Sequence, residues 1–208
     1  MVKYLLKFVR EKEYAEALYA GELFMRPACY YHHLEQGQGD LREAAISHSQ
    51  CIYKKSTIPI YCMYAVGDSD ISNGTALISA ECIRDFKCED GYIVVVDFRE
   101  FENKLRTLNS NGYEVVGGLV NYHRLSQSDT QKLLGDDSVR NLFVKHPVFS
   151  YQKEFRVVVN KSVYMLGETP VDYIKYHFSE PLSVDKVTIV SVKHLKREKQ
   201  NYIIQLKK

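Results

Sequence analysis

The sequence lacks the long apolar runs and the charge excess that would assign the protein to a membrane or to a strongly charged partner. No stretch approaches the roughly 18 apolar residues of a membrane span. Residues 1–10 interrupt their apolar run with charges and lack the small-residue cleavage site of a signal peptide. The 28 basic and 26 acidic residues leave a formal net charge of +2, too small for a whole-molecule attraction to nucleic acid or anionic lipid. We therefore expect a cytoplasmic protein that does not bind membranes.

Cysteine is scarce, and its spacing matches neither a disulfide framework nor a zinc site. The five cysteines are an odd number, without a C-x-x-C pair or a Cys/His cluster of the zinc-binding type. They are Cys29, Cys51, Cys62, Cys82 and Cys88. His32 and His33 are adjacent, so on a strand or a helix they point in different directions and do not share a metal. The sequence predicts reduced thiols, no structural disulfide network and no bound metal.

The motifs of the common catalytic classes are also absent. The sequence contains no G-x-S-x-G nucleophile elbow, P-loop, H-E-x-x-H helix or EF-hand loop. Its double glycine, Gly117-Gly118, lacks the spacing, the following helix and the downstream acid of a dinucleotide-binding fingerprint. Conventional hydrolases, kinases and metalloenzymes are therefore disfavoured. Tryptophan is missing too, but 16 tyrosines are present, and tyrosine suits core edges and ligand pockets alike.

The hydrophobic content of 45% is enough for the core of a single domain spanning residues 1–208. Alternating and β-branched runs predict strands, and apolar residues at helical spacing predict helices. The predicted strands cover residues 4–9, 23–25, 57–66, 92–98, 113–122, 149–159, 163–166, 187–192 and 202–206, and the predicted helices cover 11–20, 75–86, 99–108 and a piece of 126–137. The helices concentrate in the N-terminal two thirds, without strict βαβ alternation. This order predicts an α+β fold with mixed, mostly antiparallel twisted sheets.

Local signals refine this outline. Gly21 is expected to end the first helix, because glycine tolerates the left-handed conformation of a helix stop. Gly117-Gly118 indicates a bulge or a close backbone approach within its strand. Asn160-Lys161 indicates a hairpin turn after the strand that ends at residue 159. The strands predicted at residues 187–192 and 202–206 are expected to pair around the charged turn at residues 195–201.

Residues 149–159 sort into two faces if they form a strand, because side chains alternate along a strand. The apolar face consists of Phe149, Tyr151, Phe155, Val157 and Val159. The polar face consists of Ser150, Gln152, Glu154 and Arg156. The pattern predicts a central strand whose Glu154 faces a cleft. It is also typical of a half-buried antiparallel strand with one solvated face.

Three features together resemble the ADP-ribosyltransferase fold, especially its compact bacterial toxin and phage-defence members. They are a short opening strand, a helix closed by Gly21-Glu-Leu23 and a late strand bearing Gln152-Lys-Glu154. The element Tyr151-Gln-Lys-Glu-Phe-Arg156, preceded by Lys145, also resembles the Y-x-K-E-x-R element of bacterial proteins linked to abortive infection. In the ADP-ribosyltransferase family the late strand carries the catalytic acid. The first strand supplies an Arg or His that holds NAD, and an aromatic residue stacks on the nicotinamide.

The resemblance implies that Glu154 is the catalytic acid and that Gln152 orients the substrate. A physical argument supports the role of Glu154 independently. Cleavage of the nicotinamide–ribose bond builds positive charge on the ribose, so a fixed carboxylate stabilises the transition state more than the ground state. The acceptor of the transferred group is expected to be a protein or a nucleic acid. If Glu154 merely pairs with Arg156 on an exposed face, the pair contributes at most about 1 kcal/mol to stability.

The same resemblance implies a set of NAD-binding residues. Arg10 or Lys7 would be the first-strand cation. Tyr61 or Tyr64 would be the aromatic residue, as in the family variant that uses tyrosine, since residues 57–66 contain no Ser-Thr-Ser element. Arg156 shares the predicted polar face with the catalytic acid and joins these candidates.

Two other functions remain open at this point. A non-catalytic recognition module would use the tyrosine-rich surface to bind a protein or nucleic-acid partner. A metal-independent ribonuclease would use His, Lys and Glu from residues 31–35 and 145–156, with His33 or His146 meeting Glu154 across a cleft. A flat aromatic patch favours the first alternative, and a histidine meeting the carboxylate favours the second.

Overall fold

A computed structural model describes residues 1–31, 57–110, 114–123, 139–145, 147–160, 165–166, 169–170 and 173–206. The strands are β1 (Val2–Val9), β2 (Glu22–Pro27), β3 (Pro59–Gly67), β4 (Ile71–Ser72), β5 (Thr75–Ser79), β6 (Tyr92–Asp97), β7 (Val115–Leu119), β8 (Asn121–Tyr122), β9 (Val144–Lys145), β10 (Glu154–Val159), β11 (Met165–Leu166), β12 (Thr169–Pro170), β13 (Ile174–His177), β14 (Val187–Ser191), β15 (Lys196–Glu198) and β16 (Asn201–Gln205). The α-helices are α1 (Lys12–Tyr19), α2 (Ala28–Tyr31), α3 (Ala80–Asp85) and α4 (Phe98–Ser110). Short 3-10 helices cover Asp68–Asp70, Val139–Phe143, Pro147–Gln152 and Val192–His194. The fold is α+β with mostly antiparallel sheets, and among the described strands only β8 and β9 pair in parallel.

The main sheet is organised around β3, which has neighbours along both edges. β10 runs antiparallel along one edge, with Glu154 opposite Tyr64 and Val158 opposite Ile60. β1 and β2 share the other edge: β1 pairs with the second half of β3, and β2 pairs only with its first two residues. The middle of β3 therefore faces a gap between β1 and β2. Outward from β3 the order continues through β1 to β6 and β14, through β2 to β13, and through β10 to β7.

Each face of the main sheet packs against a separate apolar layer, because side chains alternate along the strands. The first layer joins the sheet to α1 and α4 and includes Leu5, Leu18, Val94, Phe101, Leu105 and Val157. The second layer joins the opposite face to α3 and to a four-stranded sheet of order β15-β16-β5-β4, and it includes Leu6, Tyr64, Ile78, Ile83, Val95 and Ile204. A smaller cluster of Ala28, Ile60, Leu142 and Val158 lies at the β3–β10 end. The central strands of the sheet are thus covered on both sides.

Eight predicted elements are confirmed, with boundaries within two residues. They are β1, α1, β2, β3, β6, α4, β14 and β16. Gly21 follows α1 with φ 91°, as predicted for a glycine helix stop. β6 is buried on both faces, which explains its unbroken apolar sequence. In α4, Phe101, Leu105 and Leu108 recur at helical spacing and all three are buried.

The predicted helix over residues 75–86 is wrong in its first half. Residues 75–79 form β5, which pairs with β16 over its whole length. Ala76 and Ile78 are buried while Leu77 is 53% exposed, which is the alternation of a strand. Only residues 80–85 are helical, and the Ser79 hydroxyl accepts a hydrogen bond from the Glu81 N–H at 3.1 Å as an N-cap.

The double glycine does not form a bulge. Gly117 and Gly118 continue β7 in unbroken register, opposite Val157 and Arg156 of β10. Instead they leave room for aromatic rings. A Cβ added at Gly117 would lie 3.0 Å from Cζ of Phe155.

The predicted pairings at the end of the chain are not found. β14 pairs with β6 of the main sheet, whereas β16 pairs with β5 and β15, so the last two predicted strands do not pair with each other. The expected hairpin partner of β10, residues 163–166, lies partly outside the described residues. β3 and β7 occupy the two edges of β10 instead. The predicted loop and helical piece at 126–137 also lie outside them.

Cys62, Cys82 and Cys88 form no disulfide bond. Cys51 and the side chain of Cys29 lie outside the described part of the chain, so the absence of a disulfide network among all five remains a prediction. Among the described residues, no helix is long and apolar enough to cross a membrane.

Candidate functional site

Four polar side chains are buried together against β3, and in the described part of the chain they are the only buried polar or charged residues. Lys145 comes from β9, Gln152 from the 3-10 helix before β10, and Glu154 and Arg156 from β10. Their exposed fractions are 5%, 3%, 6% and 0% in that order. We call these four residues the polar cluster. Because Glu154 is buried, the interpretation of β10 as a strand with a solvated face is wrong.

Arg156 and Glu154 form an ion pair on one face of β10. Nε and Nη2 of Arg156 donate to Oε1 of Glu154 at 2.8 and 2.6 Å. Nη1 donates to the backbone carbonyl oxygen of Leu142. Desolvating such a pair costs enough that apolar residues of similar volume often stabilise a protein equally well. The buried ion pair is therefore weak evidence for a stabilising role and directs attention to chemistry.

Lys145 brings a second cation to the same carboxylate. Its Nζ donates to Oε1 of Gln152 at 2.8 Å and lies 3.4 Å from Oε2 of Glu154. The ring of Phe149 covers this ammonium group, with 5.1 Å between Nζ and the ring centre. Oε1 of Glu154 thus accepts both hydrogen bonds from Arg156, whereas the contact with Lys145 is to Oε2 and is longer.

A chain of hydrogen bonds fixes the orientation of Gln152. The Tyr151 hydroxyl donates to the Asp85 carboxylate, which can only accept. Its oxygen then accepts from Nε2 of Gln152 at 3.5 Å. Consequently Oε1 of Gln152 faces the ammonium group of Lys145. Tyr151, which is bound to Asp85 on α3, is therefore linked to Glu154 through Gln152 and Lys145.

The backbone explains why Gln152 and Glu154 meet although they do not share a strand. The prediction of one strand over residues 149–159 is wrong in its first half, because residues 147–152 form a 3-10 helix and the strand begins at Glu154. The proline at the start of this helix has no N–H to give to a sheet. Lys153, with φ 39°, turns the chain between the two elements.

Backbone hydrogen bonds hold Glu154 at the start of β10. Its N–H donates to the Tyr122 hydroxyl at 2.9 Å, and its carbonyl accepts from the N–H of Val120 at 2.9 Å. The neighbouring Lys153 carbonyl accepts from the Ala65 N–H at 2.7 Å. The carboxylate therefore projects from a backbone that is fixed on both sides.

The surroundings keep Glu154 ionised. Burial by itself raises the pKa of this carboxyl group, but Arg156, Lys145 and a hydrogen bond with the Cys62 thiol together outweigh burial and hold the pKa below its ordinary value. With Lys145 and Arg156 protonated, the polar cluster carries two positive charges against one negative charge. Burial also raises the pKa of the Tyr122 hydroxyl, which stays neutral. The cluster is a buried carboxylate with an excess of positive charge around it.

The structure brings some of the other predicted residues near this cluster and separates others. Tyr64 lies directly opposite Glu154 in β3 and shares its face. Lys7 fills the gap between β1 and β2, where its Nζ donates to the Cys62 carbonyl at 2.8 Å and lies 4.1 Å from the centre of the Tyr61 ring. Burial lowers the pKa of Lys7, and the Glu154 carboxylate partly offsets that shift.

Tyr61 and Arg10 are not part of the polar cluster. Tyr61 lies opposite Val157, and both belong to the first apolar layer, on the sheet face away from Glu154. Arg10 is exposed at the end of β1. Of the two cations predicted for the first strand, Lys7 is the one whose pKa the Glu154 carboxylate affects. His33 and His146 lie outside the described residues.

Sequence reasoning missed Tyr122, Cys62 and Asp85 as supports of the site. It named Lys145 only as the residue preceding the Tyr151–Arg156 element and gave it no role beside the catalytic acid. Tyr122 and Cys62 reach Glu154 through strand register, which the sequence does not specify. Asp85 reaches it through the packing of α3 against residues 147–152.

No protein-family model matches this sequence, and no curated protein or solved structure is significantly similar to it. The function therefore has to be argued from the site itself. Within the ranges that the structure describes, no group of three or more His, Cys, Asp or Glu side chains is placed to hold a metal ion. What the described residues offer chemically is a fixed carboxylate that can stabilise positive charge, next to cations that can bind a negative group.

Proposed function

We propose that this chain is an NAD-consuming enzyme of the ADP-ribosyltransferase type, with Glu154 as its catalytic acid. The observation that carries the proposal is an ionised, buried carboxylate held by Arg156 and Lys145 from fixed directions. Charge placed in this way needs no reorganisation when positive charge develops on a substrate. It suits the ribose carbon from which nicotinamide departs.

Charge balance supports an anionic substrate. Two cations surround one carboxylate in the polar cluster. A buried excess of positive charge is favourable only when an anion completes it. The diphosphate of NAD has the required sign. Lys7 is our candidate for the first-strand cation, because the Glu154 carboxylate acts on its pKa, and the exposed Arg10 is the weaker one.

The roles of the remaining candidates follow from their contacts. Oε1 of Glu154 accepts both hydrogen bonds from Arg156, so we assign Oε2 to the substrate. Gln152 already gives its amide oxygen to Lys145, so it positions that cation instead of contacting the ribose. Tyr64, on the face of Glu154, is the better placed aromatic candidate for the nicotinamide, and Tyr61 would contact NAD only from the other face of the sheet.

In the proposed reaction the bond between nicotinamide and ribose breaks, and its electron pair leaves with nicotinamide. The oxocarbenium-like ribose that forms next to Glu154 is then attacked by an acceptor nucleophile or by water, which loses a proton to solvent. The products are nicotinamide and either an ADP-ribosylated acceptor or free ADP-ribose. Glu154 is 6% exposed, so NAD reaches it only after neighbouring side chains move, and we assign this movement to Phe149, which covers Lys145.

The biological setting is part of the same proposal. By the resemblance of its motifs, the chain would act in the bacterial cytoplasm as a toxin or phage-defence effector that modifies a protein or nucleic-acid acceptor. Release of nicotinamide from NAD by the purified protein, with and without bacterial cell extract as a source of acceptor, tests the activity. Release above the rate in buffer supports the proposal, and its absence under both conditions contradicts it.

A further inference from the structure

The outer face of β2 and β13 carries a row of aromatic and basic side chains that the proposed reaction does not use. β13 is the edge strand at this end of the main sheet, and it pairs antiparallel with β2. The inward residues Leu23, Met25 and Tyr176 are buried in the first apolar layer. The outward residues of the same two strands are exposed or half-buried, and the described part of the chain leaves this face open.

Four side chains form a continuous stack on this face. The rings of Tyr173 and Phe24 lie 4.5 Å apart at an interplanar angle of 33°. The guanidinium of Arg26 lies 5.2 Å from the centre of the Phe24 ring and 4.2 Å from that of Tyr30. Arg26 is thus held between two aromatic rings. We call Tyr173, Phe24, Arg26 and Tyr30 the aromatic–arginine stack.

Within the described residues, the Arg26 side chain makes no hydrogen bond or ion pair, although its guanidinium carries five N–H donors. The two rings restrain the guanidinium, and a planar guanidinium binds a phosphate through two parallel hydrogen bonds. At the other end of the stack, Tyr173 is 50% exposed and Phe24 is 38% exposed. A flat partner can therefore stack on Tyr173.

The acidic residue of this face is already neutralised. Glu22 is 2.9 Å from the ammonium of Lys175 and 3.6 Å from Nε2 of His177. The charge left over on the face is that of Arg26, so the face favours a negative partner. Its size argues against a protein: a stable interface buries about 800 Å² on each partner, far more than two partly exposed rings and one guanidinium provide.

We propose that the aromatic–arginine stack binds single-stranded nucleic acid, with a base on Tyr173 and a backbone phosphate on Arg26. Bases stack on aromatic side chains regardless of sequence, and paired duplex bases are not available for such stacking. The assignment goes beyond NAD cleavage and does not depend on it. If both proposals hold, the bound nucleic acid is the acceptor of the ADP-ribose group.

Fluorescence anisotropy with labelled 12-nucleotide oligo(dT) and oligo(rU) tests the proposal. We expect wild-type protein to bind both, and to bind a duplex of the same length more weakly. Tyr173→Ala should weaken binding roughly tenfold or more. Arg26→Gln should weaken oligonucleotide binding. It should also reduce the magnitude of the slope of log affinity against log salt concentration by about one. The melting temperature of each variant shows whether it is folded.

Two substitutions elsewhere serve as matched controls. Tyr14→Ala removes a tyrosine that is 62% exposed on α1, and Arg99→Gln removes an exposed positive charge on α4. Both should bind oligonucleotide like wild type. Equal affinity of wild type, Tyr173→Ala and Arg26→Gln for the oligonucleotides overturns the assignment. The nucleic-acid assignment is also overturned if wild-type protein does not bind the oligonucleotides. If sedimentation velocity then shows that Arg26→Gln disrupts self-association, the face is a protein contact.

Discussion

Arg156 and Glu154 lie two residues apart on β10, and the guanidinium binds one oxygen of the carboxylate through both Nε and Nη2 while its own side chain is 0% exposed. Removing one partner of such a pair leaves an uncompensated buried charge. We expect Arg156→Met to lower the free energy of unfolding by about 3–5 kcal/mol. Urea denaturation measures this change.

The double variant Glu154→Gln/Arg156→Met separates two effects on the free energy of unfolding. One is the destabilisation by a single unpaired buried charge, and the other is the net contribution of the ion pair. With both charges removed, we expect the double variant to be more stable than Arg156→Met alone. Arg99→Met is the control, since Arg99 is exposed on α4, and it should change stability by less than about 0.5 kcal/mol. If the double variant is as unstable as the two single losses added together, the residues are not coupled.

The stability of the fold should depend on the charge of Glu154. Its folded pKa is held below the unfolded value, which is about 4.3 for Glu. The stabilisation is therefore fully present above about pH 5 and is lost as the pH falls toward the folded pKa. We expect the stability difference between wild type and Glu154→Gln to be constant from pH 7 to about 5 and to shrink below that. A difference that grows on acidification contradicts the ionised state.

The part of this fold that follows from local sequence could be predicted. β6 and α4 are long and strongly patterned, and Gly21 supplies a left-handed stop that few other residues tolerate. Residues 75–79 were wrongly assigned to a helix, because Ala76 combines with Ala80 and Ile83 into an approximate apolar helix face. These residues form a strand because they pair with β16, which lies more than a hundred residues later in the sequence.

The site was predictable only in part for a related reason. The alternation of residues 154–159 places Glu154 and Arg156 on one face of a strand, and this is correct. Gln152 joins them through a turn at Lys153, a residue type that does not favour positive φ. Lys145 joins through a short parallel pairing of β8 with β9. Both depend on tertiary contacts that outweigh local preference.

Tyr151→Phe tests the hydrogen-bond chain that orients Gln152. The substitution keeps the ring but removes the donor to Asp85 and the acceptor for Nε2 of Gln152. We expect a loss of about 1 kcal/mol in stability. Under the proposed function we also expect a lower kcat with little change in KM, because Lys145 loses its fixed partner. Tyr14→Phe, on an exposed tyrosine, is the control; wild-type kcat in Tyr151→Phe would show that the chain has no role in positioning.

Gly117→Ala tests the contact between β7 and the Phe155 ring. A new Cβ would lie 3.0 Å from Cζ of that ring and 3.5 Å from a methyl carbon of Leu105, so one of them must shift. We expect destabilisation of about 1–3 kcal/mol. Gly118→Ala is the matched control, because its Cβ would meet Phe143 at 3.4 Å and should cost less. Equal melting temperatures for the two variants would contradict the predicted crowding.

The central claim is that Glu154 stabilises a positive centre during NAD cleavage. Nicotinamide release by Glu154→Gln should be compared with that of wild type and of Glu198→Gln, which loses a charge on the exposed strand β15. Since Glu154→Gln is expected to be less stable, the rates are divided by the folded fraction at the assay temperature. We predict wild-type rates for Glu198→Gln and a loss on the order of a hundredfold or more for Glu154→Gln. A folded Glu154→Gln protein that releases nicotinamide at the wild-type rate would contradict the account.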